Sequence, residues 1–155
     1  MYGKLELDRL EALLGHDTVD VNARTTHGWT ALHLACASSH VDAKVVRVLL
    51  QYGANIHSRT TDVGGWSRVS PIEALSALSA GALVGHTVDE NRSKKIHLLV
   101  KASGAKNAGE LGRMFPLLGR FSYGSAQTVW SIYLEQAAAN GERAALRRSK
   151  RSVAS

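Results

Sequence analysis

Apolar residues recur at helical spacing in several separate stretches of this chain. Residues 5–14, 45–50 and 96–100 each place leucine, isoleucine or valine three or four positions apart, the spacing at which side chains share one face of a helix. Gly53 and Gly104 follow the second and third stretches, and glycine is the residue that most often ends a helix. The pattern therefore predicts three amphipathic helices, two of them with a defined stop.

A short helix is predicted before the second stretch, beginning near Thr30. A threonine hydroxyl can accept a hydrogen bond from the N–H groups of a helix's first turn. Residues 37–40 then form a polar turn, so that residues 25–59 contain a helix-turn-helix pair. We expect the short helix to have a packed side made by Leu32, Leu34 and Ala35.

The helix pair belongs to an internal repeat. Residues 20–25 and 55–60 align at a spacing of 35 residues. The run from Gly28 to Ala35 reads Gly-Trp-Thr-Ala-Leu-His-Leu-Ala, and residues 48–55 read Val-Leu-Leu-Gln-Tyr-Gly-Ala-Asn. These motifs resemble ankyrin repeats, which have a period of about 33 residues and a Thr-Pro-Leu-His-like opening.

The resemblance implies an all-α fold, namely a short ankyrin-type solenoid of helix-turn-helix repeats with hairpin loops, irregular ends and a C-terminal helical extension. It also implies a structural role for His33, which matches the histidine of the opening motif. Such a histidine hydrogen-bonds to backbone groups of adjacent turns.

A second unit with the same plan is predicted over residues 60–106. The sequence Ser70-Pro71-Ile72-Glu73 takes the place of the helix opening, with proline at the first helical position, which needs no N–H donor. From Glu73 to Gly104 is 31 residues, against 20 from His33 to Gly53. We place the 11 additional residues around Ala82–Arg92, because insertions in repeat proteins map to surface loops.

The predicted repeat region, residues 1–106, begins with an incomplete unit. Residues 4–24 match only the second half of a repeat, so this half repeat would be followed by the repeats at 25–59 and 60–106. Each unit of a solenoid is stabilised mainly by its neighbours, and about three are needed for independent stability. We therefore expect docking into a larger assembly to stabilise the chain.

Two interpretations of residues 107–142 remain open. One is a degenerate fourth repeat that opens at residues 115–118 and has its second helix at residues 128–134. The other is a helical cap in which four aromatic side chains cover the last repeat, namely Phe115, Phe121, Trp130 and Tyr133. Gly119 and Gly124 fit a continuous helix poorly.

Composition limits the class of protein. The chain has 155 residues, of which 45% are hydrophobic and 6% aromatic, enough for a packed core of small and aliphatic side chains. The one cysteine, Cys36, cannot form an internal disulfide, and we expect it to be buried in a helix. The longest apolar stretch, residues 74–84, is shorter than the ~20 residues that span a bilayer.

The N-terminus has early acidic residues and lacks the apolar segment of a secretory signal. We therefore expect an intracellular protein, cytoplasmic or nuclear, or an organellar one if a targeting segment has been removed.

The net charge of +6 is unevenly distributed. Residues 1–106 contain 12 Lys and Arg and 10 Asp and Glu, a net charge of +2, whereas residues 107–155 contain 7 and 3, a net charge of +4. Residues 143–155 form a basic tail, in which electrostatic docking to nucleic acid, anionic lipid or an acidic protein would use Arg143, Arg147, Arg148, Lys150 and Arg151. The alternative is a solvated terminus without a partner.

The seven histidines suggest metal or catalytic chemistry, but their spacing does not support it. No His-x₃-His pair with a nearby acid, nucleophile elbow or phosphate-binding glycine loop occurs in the sequence. Gly64-Gly65 lacks the strand and helix of a phosphate loop. We expect no catalytic residue, metal site or cofactor, and therefore a binding module rather than an enzyme.

Two tryptophans carry the most information about a partner. Trp29 and Trp66 lie in consecutive predicted hairpins, and exposed tryptophans are frequent anchors of protein interfaces. In the alternative, each packs against inserted segments of its own chain. The predicted partner-binding residues are Thr26, His27, Trp29, Ala37, Ser38, Trp66 and Arg68.

Two functions follow from these patterns. The first is a non-catalytic protein–protein interaction module, a structural or adaptor subunit of a larger assembly. The second is an RNA- or ribonucleoprotein-associated protein docked through its basic tail, which the pI of about 9.8 supports. The chain lacks the alternating aromatic and basic residues of single-strand binders.

Overall fold

In a computed structural model, the chain is described over residues 4–38, 40–61, 68–79, 90–120 and 126–141. Within these ranges it contains only helices and loops, and the expectation of an all-α fold is confirmed. The elements are α1 (Lys4–Leu14), α2 (Ala31–Ala37), α3 (Ala43–Gln51), α4 (Pro71–Ser79), α5 (Glu90–Ser103), α6 (Ala108–Met114), a 3-10 helix (Pro116–Arg120) and α7 (Ala126–Ala139).

The chain divides into two compact units, Met1–Leu75 and Ser76–Ser155. We call them unit 1 and unit 2 and describe each by itself. The domain boundaries expected from the sequence at residues 106 and 142 stay predictions.

The helix pair α2–α3 forms the centre of unit 1. The two helices pack against each other, and α1 packs against α3. Asp42 caps α3 by accepting a hydrogen bond from the Lys44 N–H at 2.8 Å, and Gly53 ends it with a φ of +88°, a conformation that glycine adopts without steric cost. The core includes Leu32, Ala35, Cys36, Val46 and Leu49, so the predicted burial of Cys36 is confirmed.

One core prediction in unit 1 is wrong. Leu34 was expected on the packed side of α2 with Leu32 and Ala35, but its side chain is 54% exposed, whereas those of Leu32 and Ala35 are buried. A side chain on this side of a repeat helix is covered by a helix of the neighbouring repeat. Among residues 4–38, the helix that precedes α2 is α1, and α1 packs against α3. Leu34 therefore stays exposed.

In unit 2, α7 packs against both α5 and α6. Helix α5 ends before Gly104, which has a φ of +73°, as the sequence predicts. The ring of His97 on α5 stacks on Tyr133 of α7, with centroids 5.3 Å apart, and Tyr133 also contacts Trp130. This aromatic group is part of the buried interior of unit 2.

The segment after Gly104 departs from the predicted repeat. Asn107 caps α6 by accepting a hydrogen bond from the Glu110 N–H at 2.9 Å, so a helix begins where a repeat would have its hairpin loop. A 3-10 helix occupies residues 116–120, where one of the two interpretations places the opening of a fourth repeat, and the choice between a fourth repeat and a helical cap stays open. The helix expected at residues 128–134 is confirmed as part of α7.

Further predictions concern the four aromatic residues of the proposed helical cap and the insertion. Phe115, Trp130 and Tyr133 are buried, while Phe121 lies outside the described residues. Of the insertion predicted at residues 82–92, residues 90–92 belong to α5 and the others lie outside the described ranges.

Candidate interaction surface

A tight loop at residues 25–29 precedes α2 and presents its tip to solvent. The Gly28 N–H donates to the Thr25 carbonyl at 2.9 Å, and the Thr25 N–H donates to the Trp29 carbonyl at 2.9 Å. The Thr25 hydroxyl also accepts a hydrogen bond from the Trp29 N–H at 3.2 Å. Thr26 and His27, both predicted partner-binding residues, lie at the tip and are exposed.

Gly28 allows this loop to lie directly against the next one along the chain. Its φ is +79°, and a Cβ at this position would lie 2.7 Å from the Thr61 nitrogen. The same Thr61 N–H donates to the His27 carbonyl at 2.9 Å. A side chain at residue 28 would therefore be strained by its backbone conformation and would clash with the backbone that holds the loop.

Side chains of the half repeat, residues 4–24, also bind the backbone of the repeat at residues 25–59. The Asn22 side chain donates to the Gly53 carbonyl at 3.1 Å and accepts from the Asn55 N–H at 2.7 Å. Arg24 donates to the Arg59 carbonyl. These contacts join residues 31 to 35 positions apart, so they fix the register of adjacent repeats.

His33 connects the opening of α2 to a residue far along the chain. Its Nδ1 lies 3.3 Å from the Thr30 nitrogen and 2.9 Å from the Thr30 hydroxyl, and Thr30 caps the helix by accepting from the His33 N–H. Because the Thr30 N–H requires Nδ1 as an acceptor, the ring proton is on Nε2. Nε2–H donates to the Val69 carbonyl at 2.9 Å, which confirms the predicted structural role.

Burial lowers the pKa of His33 below its ordinary value of 6.5. The hydrogen bond to the Val69 carbonyl opposes this shift, and the positive charge of Arg24 adds to it. Desolvation disfavours the charged ring, so His33 is neutral at pH 7.

Trp29 is held partly by its own chain. Its side chain is half-buried and lies edge-on to the His33 ring, with centroids 5.7 Å apart and an angle of 65° between the planes. This edge-to-face arrangement is favourable for aromatic rings. One part of the indole therefore packs against α2, and the accessible part remains available to a partner.

The other predicted partner-binding residues have different environments. Ala37 and Ser38 are half-buried at the end of α2, where the Ser38 hydroxyl accepts a hydrogen bond from the His40 N–H at 3.3 Å. Arg68 is exposed, and its carbonyl accepts a hydrogen bond from Arg59 at 3.1 Å. Trp66 and the tail cations, residues 143–151, lie outside the described residues.

The opening of α4 contains an ion pair that the sequence analysis missed. Glu73 is fully buried and accepts hydrogen bonds from the Ser70 N–H at 2.9 Å and from the Ser70 hydroxyl at 2.7 Å. Arg59 donates to the same carboxylate at 3.0 Å. The spacing Ser-x-x-Glu is the sequence signature of a capping box, so the Ser70–Glu73 part was predictable.

Metal sites and membrane-spanning helices are features that would indicate other classes of protein. Among the described residues, no group of three or more His, Cys, Asp or Glu side chains is close enough to hold a metal ion. In the same part of the chain, no helix is both long and apolar enough to cross a membrane.

The described residues contain packed helix pairs, capped helix openings and loops that hydrogen-bond to each other at a spacing near the repeat length. These features define a helical repeat protein. Two family models match the sequence: ankyrin repeat over residues 27–61, and ankyrin repeats (many copies) over residues 1–43. Residues 1–61 are therefore similar to ankyrin repeats, which are generally protein–protein interaction modules. No curated protein and no solved structure matches the chain.

Proposed function

We propose that this chain is a non-catalytic protein–protein interaction module, a structural or adaptor subunit of a larger intracellular assembly. The observation that carries the proposal is the loop at residues 25–29. Its tip residues, Thr26 and His27, are exposed, while its backbone is held by Gly28 and Thr61. The proposed contact surface comprises Thr26, His27, Trp29, Ala37, Ser38, Trp66 and Arg68.

A fixed loop favours binding because less conformational entropy is lost when a partner docks. The His27 carbonyl bond to Thr61 and the Arg24 bond to Arg59 restrain the backbone on both sides of the tip. Trp29 adds an aromatic side chain whose position is set by His33. Aromatic anchors of this kind contribute strongly to many interfaces.

Affinity purification of the tagged full chain, with and without nuclease, tests this function. We expect protein partners that survive nuclease and that are reduced at least tenfold by the double substitution Thr26→Glu with His27→Ala. Gln51→Ala, an exposed position on α3, is the matched control and should leave recovery unchanged. Equal recovery with the double variant would contradict the proposed surface, provided that circular dichroism shows an unchanged fold.

Trp29→Ala is a second variant with a separate readout. Because Trp29 contacts His33, its loss could also disturb α2, so the melting temperature of the variant is measured first. We expect a loss of partner affinity that exceeds the effect of Trp29→Phe, which keeps an aromatic ring against His33.

A second candidate function is association with RNA or a ribonucleoprotein through the basic tail. The net charge of +4 in residues 107–155 favours it, since contacts with phosphates make binding steeply salt-dependent. Binding to a single-stranded RNA probe that weakens steeply between 50 and 200 mM salt (about the range over which several phosphate contacts are screened) and is lost on deletion of residues 143–155 would support it. Nuclease-resistant partners and no RNA affinity would exclude it.

A further inference from the structure

Three short segments of unit 1 lie side by side and are joined by hydrogen bonds. The Thr61 N–H donates to the His27 carbonyl at 2.9 Å, and the Thr60 N–H donates to the Val69 carbonyl at 3.0 Å. The Val69 N–H in turn donates to the Thr60 hydroxyl at 3.1 Å. These bonds connect the loop before α2, the next loop along the chain and the start of α4, namely residues 24–29, 59–61 and 68–70.

Each of these segments begins with an arginine, and hydrogen bonds connect the three arginines. The Arg24 guanidinium donates to the Arg59 carbonyl. The Arg59 guanidinium donates to the Arg68 carbonyl at 3.1 Å. Residues 24–26 and 59–61 both read Arg-Thr-Thr, so equivalent positions of the internal repeat supply the first two arginines. We call Arg24, Arg59 and Arg68 the arginine cluster.

The arginine cluster lies beside the exposed tip of the loop at residues 25–29. Thr60 and Val69, which pair with each other, are buried. Their neighbours Thr61 and Arg68 are exposed, and so is His27, whose backbone is bonded to Thr61. The accessible side of the three segments therefore carries charged and polar side chains next to the proposed contact loop.

Most of the donors of the arginine cluster are not used within the described residues. The carboxylate that forms an ion pair with the cluster there is that of Glu73, 3.0 Å from Nη1 of Arg59. A guanidinium has five N–H donors, and the described bond of Arg24 uses only Nη2. Among the described residues, the Arg68 guanidinium makes no hydrogen bond or ion pair. Arg24 and Arg68 therefore have donors for an incoming anion.

The chemistry and the charge of this face favour carboxylates over nucleic acid. Guanidinium groups bind carboxylates in a bidentate geometry that an ammonium group cannot reproduce. Residues 24–29 and 59–73 carry three arginines against Asp62 and Glu73, a net charge of +1. A nucleic-acid duplex presents one negative charge per ~1.7 Å, and proteins bind it with many Lys and Arg contacts. A few carboxylates of a protein segment match this small charge better.

We propose that the arginine cluster binds the carboxylates of an acidic segment of a partner protein. Arg24 and Arg68 bind the carboxylates, and Arg59, which is held by the buried Glu73, positions the backbone of Arg68. The bound segment crosses the loop tip at Thr26. The inference rests on the proposed function, because it names the chemistry of the partner that this loop binds.

Selection of short random peptides, displayed on phage, with the immobilised full chain tests the inference. We expect enrichment in Asp and Glu among peptides whose binding is lost with the double substitution Thr26→Glu and His27→Ala. Peptides that are lost with that variant but are not acidic would overturn this inference and leave the loop surface intact. Acidic peptides that bind the double variant equally well would also overturn it, as would a library without binders, and affinity purification then decides the proposed function separately.

One selected acidic peptide is then labelled, and its affinity for the full chain is measured by fluorescence anisotropy. We expect Arg68→Glu to weaken binding by about tenfold or more, the effect of losing a charged hydrogen bond. Arg68→Lys keeps the charge without the bidentate geometry and should weaken binding about threefold. Arg47→Glu makes the same change of charge at an exposed position of α3; it is the matched control and should leave the affinity unchanged.

Three results of these titrations would contradict the inference. The first is an equal loss with Arg47→Glu and Arg68→Glu, which would show that overall charge attracts the peptide. The second is binding that survives replacement of the peptide's Asp and Glu by Asn and Gln. The third is tighter binding of a single-stranded RNA than of the peptide, abolished by Arg68→Glu, which would assign the cluster to phosphates.

The stability of the variants is measured beside their affinity. Because the Arg68 side chain is exposed, Arg68→Glu should leave the circular dichroism and melting temperature unchanged. If it alters either, Arg68→Gln replaces it, and we expect that variant to weaken peptide binding by about fivefold or more because it also removes the charged donor. An unchanged affinity in a folded Arg68→Gln variant would overturn the inference.

Discussion

Helices α2 and α4 begin with the same arrangement and different chemistry. Each has a hydroxyl residue at the opening, Thr30 or Ser70, and three positions later a buried side chain that bonds back to that residue. In α2 this side chain is a neutral histidine, and in α4 it is a carboxylate paired with Arg59. The same turn is thus stabilised by a hydrogen-bonded ring in one case and an ion pair in the other.

This difference determines which interaction stabilises the opening of each helix. His33 uses its second nitrogen to reach the carbonyl of Val69, so the start of α2 is tied to the loop just before α4. Glu73 has no such second ring nitrogen, and Arg59 reaches it from the preceding loop. One opening is therefore sensitive to protonation of a ring, and the other to loss of a charged partner.

Removal of the buried Glu73 carboxylate should cause the largest loss in the free energy of unfolding. Glu73→Ala leaves Arg59 and the Ser70 N–H without this acceptor. Glu73 is buried and the Arg59 side chain is 35% exposed, so we expect a loss of about 3 kcal/mol, the low end for a buried pair. Urea unfolding monitored by tryptophan fluorescence measures the change. Glu73→Gln retains an acceptor oxygen and should lose less than Glu73→Ala; equal losses would show that packing, not hydrogen bonding, dominates.

Gly28→Ala tests whether the close approach of the two loops stabilises unit 1. The substitution combines a φ of +79° with a Cβ 2.7 Å from the Thr61 nitrogen, and strain of this kind costs about 2 kcal/mol. Gly53→Ala is the matched control, because Gly53 also has a positive φ but open space around its Cβ position. If both variants lose the same stability in urea, backbone conformation alone is responsible.

The neutral ring of His33 predicts a pH dependence of stability at the opening of α2. The folded pKa lies below the unfolded value of 6.5, so the unfolded state binds more protons and stability falls as the pH drops below about 6.5. The slope from this ring is at most about 1.4 kcal/mol per pH unit. We expect His33→Gln to flatten the difference in unfolding free energy between pH 7.5 and 5.5.

The control for that titration is His27→Gln, which changes an exposed ring on the loop just before α2. An equal flattening in both variants would show that the effect is not specific to His33. An unchanged slope in His33→Gln would contradict the assignment of the linkage to the α2 opening.

The smallest loss of stability is expected at Asn22, whose side chain joins the half repeat to the repeat at residues 25–59 through two hydrogen bonds. Asn22→Ala removes bonds to the Gly53 carbonyl and the Asn55 N–H, at a net cost of about 1 kcal/mol because the site is only half-buried. Asn22→Asp keeps the acceptor for Asn55 and should lose less. A loss as large as that of Glu73→Ala would show that loop register, more than the capped openings, stabilises unit 1.

The sequence predicts the parts of the fold that depend on local chemistry. Thr30, Gly53 and Gly104 lie where capping and left-handed backbone conformation require them, and the repeat spacing locates His33. Helix α6 was missed because Gly109 and Gly112 lower the helix propensity of its short segment.

Features that depend on distant neighbours could not be predicted in the same way. Leu34 follows the pattern of a packed residue, and its exposure depends on which helix lies beside α2. The contact between Trp29 and His33 likewise depends on the folded loop. Of the candidate partner surface, the sequence indicated the exposed tip at Thr26 and His27, but not the bonds that hold it.

The bond from His33 to Val69 also has a consequence for the order of events during synthesis. The two residues are 36 positions apart, so a nascent chain that has emerged only through α3 has the helix pair without the acceptor for its buried ring. Contacts of this sequence separation form after local helices. The repeat at residues 25–59 therefore reaches its final hydrogen-bonded state only once the start of the unit at residues 60–106 has left the ribosome.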